Sequence, residues 1–104
     1  MRVLIRYTVK PEHIRRSTEL LRAVYADLER TRPTGLRYET FQVEGTGQFL
    51  ALMESDGGPG DAAHHRLASF QRYRAELDDI CAEPPTVAHL ETVGDYRSAD
   101  PTPS

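Results

Sequence analysis

Two histidines and two tyrosines are the side chains of this sequence best suited to proton-transfer chemistry. His64 and His65 form the only adjacent histidine pair, and they follow a glycine-rich stretch. A neutral imidazole can take a proton from a phenolic hydroxyl, because its ordinary pKa lies close to physiological pH. Tyr38 and Tyr73 could orient an aromatic ligand through their hydroxyls, and packing in the core or at an interface is the alternative for each.

The other candidates also have structural alternatives. His64 could be a histidine at a helix N-terminus that is hydrogen-bonded to a loop. Phe70 is expected to pack in the core, whether or not a ligand touches it. Arg37 could bind an anionic substrate or stabilise a developing oxyanion, and a solvated or interface salt bridge is the alternative.

The histidine pair does not predict a metal site. Adjacent residues of a helix point about 100° apart, which separates His64 from His65. The sequence has no histidine four residues after either one, and Cys81 is its only cysteine. We therefore expect no metal and no internal disulfide.

Composition narrows the class of protein. A chain of 104 residues with 38% hydrophobic and 28% charged residues is typical of one small globular domain. Its net charge of −3 argues against binding nucleic acid, which requires a positive field. No stretch resembles a signal peptide or a membrane span, so we expect a cytoplasmic protein.

Hydrophobic periodicity predicts four strands and two helices in the order βαββαβ. The second and third strands are separated only by a glycine-containing turn and form a predicted hairpin. Asp61 is a plausible N-cap for the second helix. The predicted strands span 2–10, 36–44, 49–53 and 86–96, and the predicted helices span 12–30 and about 61–82. One domain is expected over 1–97, followed by a disordered, proline-rich tail at 98–104.

This element order predicts an α+β, ferredoxin-like sandwich, with a four-stranded antiparallel sheet and both helices on one face. The unbroken apolar run of the third strand indicates that both faces of the sheet are covered. A face-to-face homodimer would cover the face without helices. His89 and Glu91 share one side of the last strand, and we expect that side to face the partner.

A short motif resembles a known family. Ala63-His64, five residues, and Phe70-Gln71-Arg72-Tyr73 are similar to the A-H-x5-F-Q-x-Y stretch of the antibiotic biosynthesis monooxygenase family, in the dimeric α/β-barrel superfamily. Residues 35–39 and 49–54 stand where that family has its second and third strands. The resemblance implies a homodimer with a shared barrel, and a pocket between each sheet and its own helices.

The sequence also departs from the family pattern. Asp56 stands where many members have an aromatic residue, and Leu67 replaces the serine of an A-H-x-x-S pattern. Members that degrade haem use an Asn and a Trp together with a His, and this sequence contains neither Asn nor Trp. Haem degradation is therefore not carried over.

Three functions are compatible with these residues. The resemblance implies a cofactor-independent monooxygenase that acts on a small aromatic or quinol-type substrate, with His64 as the base. Because the sequence lacks the Asn and the Trp, a non-catalytic dimeric protein that binds a small ligand is one alternative. An isomerase, cyclase or lyase is the other, since such barrels also carry out proton-transfer chemistry.

Overall fold

The structure, a computed structural model, describes residues 1–56 and 63–98. Its elements are β1 (Arg2–Thr8), α1 (Ile14–Thr31), β2 (Leu36–Gln42), β3 (Gln48–Ser55), α2 (Ala68–Ile80) and β4 (Thr86–His89). The strands form one antiparallel sheet in the order β2-β3-β1-β4. Both helices join one core cluster with the buried side of the sheet. The predicted ferredoxin-like α+β fold is therefore confirmed.

The two faces of the sheet differ in composition and exposure. On the helix face Val3 pairs with Met53 and Tyr7 with Phe49, and all four side chains are buried. On the opposite side, which we call the open sheet face, the central leucines are half-buried and Phe41 is 50% exposed. Those leucines are Leu4, Leu50 and Leu52. Strand β3 therefore carries apolar residues on both faces, and within the described chain only the helix face is fully covered, so coverage of the second face stays a prediction.

Helix α1 begins and ends close to its predicted bounds. Pro11 opens a short 3-10 turn that leads into the helix, where its missing N–H is not needed. At the other end Arg32 adopts the left-handed conformation, with φ of 45°, and its N–H donates to the Leu28 carbonyl at 2.7 Å. Pro33 then prevents the helix from continuing.

Helix α2 is shorter than predicted. Ala63–Arg66 form a separate 3-10 turn, and Leu67 is extended, with φ of −75° and ψ of 130°. Leu67 occupies the N-cap position, and its apolar side chain offers no cap to the helix. The helix ends at Ile80 because Cys81 is extended and forms a β-bridge with Val9. The predicted cap, Asp61, lies outside the described residues.

Strand β4 is also shorter than the predicted 86–96. The N–H of Leu90 donates to the carbonyl of Arg2 at 2.9 Å, and Arg2 is the first residue of β1. The described residues after Leu90 therefore lie beyond the start of β1 and have no strand of this sheet to pair with. His89 lies directly opposite Val3, whose side chain is buried beneath the helices. His89 is therefore on the helix face, and the expectation that it faces a partner sheet was wrong.

No helix within residues 1–56 and 63–98 is long and apolar enough to cross a membrane. The assignment of one domain to 1–97 stays a prediction. Of the predicted tail at 98–104, only Ser98 belongs to the described residues.

Candidate active site

His64 is the most deeply buried ionisable side chain near the sheet. The 3-10 turn at Ala63–Arg66 directs its ring inward, and the residue has no solvent exposure. Its ring lies edge-on to two predicted site residues, with centroids 5.4 Å from Tyr38 and 4.5 Å from Phe70. Neither ring nitrogen has a hydrogen-bond partner in the part of the chain that the structure describes. Because a buried polar group without a partner is costly, this arrangement marks His64 as a candidate site residue.

The surroundings of His64 keep its imidazole neutral. Burial, and to a smaller extent the charge of nearby His65, lowers the pKa of His64 from 6.5 to about 4. At neutral pH one ring nitrogen is then a donor and the other an acceptor. The acceptor nitrogen can receive a hydrogen bond, or a proton, from a ligand hydroxyl.

His64 lines a cavity of about 230 Å³ between the sheet and α2. An apolar cavity of roughly 150 Å³ can hold benzene, so this space suits one substituted aromatic ring and not a fused polycycle. Most of its wall is apolar, which favours a ring over a fully polar ligand. The apolar wall consists of Met1, Val3, Ile5, Ala51, Met53, Phe70, Leu77 and Val87.

Tyr38 contributes its ring to the wall of the cavity. Its ring lies edge-on to Tyr25, with centroids 5.5 Å apart, and Tyr25 is fixed in turn by a 2.8 Å hydrogen bond between its hydroxyl and the Thr40 hydroxyl. Burial raises the pKa of Tyr38 well above its ordinary value. The Tyr38 hydroxyl therefore stays protonated at neutral pH, and the Thr40 side chain is a hydrogen-bond partner for it.

Tyr73 lies in the wall of the same cavity, but its hydroxyl is already engaged. It donates to the hydroxyl of Tyr7, and both residues are buried. Burial raises the pKa of both phenols, that of Tyr7 to about 12. The surface that Tyr73 offers a ligand is thus mainly its ring, and not the free hydroxyl that the sequence suggested.

Arg37 is not brought together with His64. Its side chain is on the open sheet face, where its guanidinium pairs with Glu39 at 2.6 Å. A wider depression of about 570 Å³ at this end of the sheet includes Arg37 and Arg2, and Arg2 is paired with Glu54 at 2.8 Å. Because Arg37 and Arg2 are both paired with carboxylates, the smaller cavity is the better candidate site. Arg37 does not line that cavity.

Three basic residues of the cavity wall did not emerge from the sequence as site residues: His65, Arg74 and His89. Arg74 follows Phe70 by four residues, so the helical repeat of the apolar wall could have revealed it. His89 carries no such signal, because its side of the sheet depends on the register of β4.

Helix α2 is held against α1 by polar contacts that fix the position of Phe70 and Arg74. The Ser69 hydroxyl donates to Asp27 at 2.6 Å in the first turn of α2. Two turns later, Glu76 accepts two hydrogen bonds from Arg16, at 2.6 and 2.8 Å. The Arg16–Glu76 pair is bidentate, which fixes its geometry more tightly than a single contact would.

The histidine pair is arranged differently from the prediction. The rings of His64 and His65 have centroids 4.3 Å apart, because the two residues belong to a tight turn and not to helix α2. Within the described ranges, no group of three or more His, Cys, Asp or Glu side chains is placed to hold a metal ion.

Comparison with known proteins supports the fold. No family model matches the sequence, and no curated protein matches it significantly. Among solved structures, one described as an antibiotic biosynthesis monooxygenase matches at 23% identity and a TM-score of 0.70, over 89% of this chain and 98% of that one. A proposed antibiotic biosynthesis monooxygenase from Nitrosomonas europaea matches at 19% identity and a TM-score of 0.72, over 88% of each chain. A conserved protein from Methanosarcina mazei matches at 19% identity and 0.67, over 84% and 86%.

The chain therefore has the fold of the antibiotic biosynthesis monooxygenases, as the motif at residues 63–73 predicted. At these identities the likeness concerns the fold.

Proposed function

We propose that this protein is a cofactor-independent monooxygenase that acts on a small, single-ring phenol or quinol. The observation that carries the proposal is His64, which is buried, neutral and without a partner in the described chain, in a cavity of aromatic and apolar walls. The proteins of the same fold that are described as monooxygenases support the choice of reaction class.

The proposed reaction needs only the substrate and molecular oxygen. His64 takes the proton of the ring hydroxyl, and the phenolate gives one electron to oxygen. The superoxide and the aryloxyl radical then combine, which forms a carbon–oxygen bond and, after protonation, a hydroperoxide. Loss of water leaves a quinone, so one oxygen atom enters the product and the other leaves as water. The substrate supplies both electrons that the second oxygen atom requires.

The low pKa of His64 sets a condition on this step. A phenol has a pKa near 10, about six units above that of His64, so a bare proton transfer would cost about 8 kcal/mol. An opposite charge about 4 Å from the new phenolate offsets roughly 4 kcal/mol at the effective dielectric of a protein surface. The imidazolium that the transfer creates on His64 lies beside the phenolate and is that opposite charge.

We infer that the working unit is a homodimer joined through the open sheet face. Leu4 and Leu52 lie opposite each other at the centre of that face, and exposed Phe41 lies beside Leu50. Charged pairs such as Arg2 with Glu54 surround the leucines. An apolar centre with a polar rim is the usual composition of a protein interface.

Oxygen uptake with hydroquinone-type substrates tests the proposal. We expect one oxygen molecule consumed per quinone formed, one labelled atom from ¹⁸O₂ in the product, and no added reductant. His64→Ala should slow the reaction about 100-fold or more, the usual contribution of a general base. His13→Ala, a histidine outside the cavity, is the matched control and should behave as wild type. Equal rates for both variants would exclude His64 as the base.

A ligand-binding role without catalysis is the second candidate. In catalytic sites the base is commonly oriented by a third group, and His64 has no such hydrogen bond among the described residues. Saturable binding of a phenol without oxygen uptake would favour this role. Product formation under strict anaerobiosis would instead favour an isomerase or cyclase.

A further inference from the structure

We infer that the cavity selects an aromatic acid: a single hydroxylated ring whose carboxylate is bound by Arg74 at the entrance while its hydroxyl meets His64. The inference deepens the proposed function and rests on it for the position of the reacting hydroxyl. It adds the chemical class of the substrate and assigns the binding of its anionic group.

The described part of the cavity is lined by basic and not by acidic side chains. Its wall includes Arg74, His65 and His89, and no Asp or Glu is among the described residues that line it. Arg74 forms no ion pair with any carboxylate of the described chain, whereas five arginines elsewhere in residues 1–56 do so. A cation left without its counterion beside an apolar cavity favours a ligand that brings the negative charge.

Arg74 acts on the inside of the cavity from an exposed position. Burial dominates the raised pKa of the Tyr38 phenol, and the positive charge of Arg74 partly offsets that rise, so the guanidinium is close enough to influence a group in the wall. Arg74 itself is exposed. A carboxylate beside it would keep part of its hydration and would escape the large cost of burying an unpaired charge. A guanidinium also binds a carboxylate through two parallel hydrogen bonds.

The size and polarity of the cavity determine the number of rings in the ligand and the position of its hydroxyl. A volume of about 230 Å³ holds one ring with small substituents. Phe70 and Tyr38 offer faces and edges for that ring, and unpartnered His64 offers a nitrogen for its hydroxyl. The ring therefore lies between a cation at one end and a neutral base at the other.

Calorimetric binding of 2,5-dihydroxybenzoate and of its methyl ester tests the inference. The two probes share the ring and hydroxyls and differ in the charge that Arg74 is proposed to bind. We expect the acid to bind at least about tenfold more tightly than the ester, the value of one charged hydrogen-bonded contact. Equal affinities, tighter binding of the ester, or no binding of either probe would overturn the inference.

Three variants separate recognition by Arg74 from general damage. Arg74→Gln should weaken the acid about tenfold and leave the ester unchanged. Arg74→Lys should restore part of the affinity for the acid, because it keeps the charge and loses the two-pronged geometry. Arg72→Gln alters an exposed arginine of the same helix outside the cavity wall, and should leave both probes unchanged. An Arg74→Gln protein that is folded by circular dichroism and binds the acid as wild type does would contradict the assignment.

The same probes distinguish this inference from the proposed function. Binding of the acid through Arg74 without oxygen uptake would support the inference and contradict the monooxygenase. Oxygen uptake that depends on His64, with no preference for the acid, would support the monooxygenase and overturn the inference.

Discussion

His64 combines two properties at the residue scale that rarely occur together, full burial and no hydrogen-bond partner in the described chain. Its pKa is lowered from 6.5 to about 4, chiefly by burial. The unfolded chain therefore binds a proton between these two values and the folded chain does not. The stabilisation associated with the neutral ring is present above pH 6.5 and is lost as the pH falls through about 4.

This linkage predicts the pH dependence of stability. Between pH 6.5 and 4 the wild type should lose about 3 kcal/mol more of its free energy of unfolding than His64→Gln, which cannot titrate. Urea unfolding of both proteins at intervals from pH 8 to 4 measures the difference, and other titrating groups cancel because both proteins contain them. Parallel stability curves would show that the His64 pKa is close to its ordinary value in the folded protein.

The buried tyrosine pair gives a second prediction at this scale. Tyr73 donates to Tyr7, and each residue is less than 5% exposed. Tyr73→Phe should lower the free energy of unfolding by about 1–3 kcal/mol, because the Tyr7 hydroxyl is left buried without its donor. The double variant with Tyr7→Phe should cost little more than the single one, or less, because no unpaired hydroxyl remains. Denaturant unfolding of both single variants and the double one forms a cycle, and additive costs would contradict the pairing.

Spacing and residue type identified part of the candidate site. His64, Tyr38, Phe70 and Tyr73 were named from the sequence, and all four line one cavity. Arg37 was named as well, and it lies on the other face, because successive residues of a strand point to opposite sides of the sheet. Because Arg37 and Tyr38 are neighbours on one strand, they could not both line the same cavity, although both were named as candidates.

At the element scale, the hairpin between β2 and β3 depends on a glycine that packs closely against the rest of the fold. The carbonyl of Gly47 accepts a 2.8 Å hydrogen bond from the N–H of Val9. A Cβ atom at position 47 would lie 2.5 Å from the Val9 carbonyl oxygen, which is backbone and cannot rotate away. The hairpin and the end of β1 therefore fit together only without a side chain at this position.

Gly47→Ala should accordingly destabilise the protein by about 1–3 kcal/mol, the usual cost of forcing atoms into a packed region. A domain of this size should then melt at least about 4 °C lower. Gly94→Ala is the matched control, since a Cβ there would meet nothing within 4 Å. Thermal melts followed by circular dichroism compare the two variants, and equal melting temperatures would contradict the close approach at Gly47.

Element order was predictable from the sequence, whereas two element ends were not. Alternation and helical spacing gave the order of all six elements, because these periods reflect which side of each element is buried. Periodicity could not show that Leu67 would be extended, which separates the turn of His64 from α2. Periodicity also could not show where the pairing of β4 with β1 would stop. The end of β4 depends on the register between these two strands, which are distant in the sequence.

At the scale of the whole molecule, the open sheet face presents apolar side chains that the described chain does not fully cover. Its central leucines are half-buried, and exposed Phe41 extends the apolar area. The candidate cavity lies on the other side of the sheet. Association through the open sheet face would leave the walls of the cavity unchanged, so assembly and ligand binding can be tested separately.

A charge placed at the centre of the open sheet face should abolish the proposed dimer. Leu52→Lys would require burial of an unpaired ammonium group at the interface, and each protomer meets that cost because the same surface is used twice. We expect wild type to sediment as a dimer at micromolar concentration and Leu52→Lys as a folded monomer. Ala23→Lys adds the same charge to an exposed position of α1 and should remain dimeric. The Leu52→Lys monomer should still bind 2,5-dihydroxybenzoate, and a wild type that sediments as a monomer would overturn the predicted dimer.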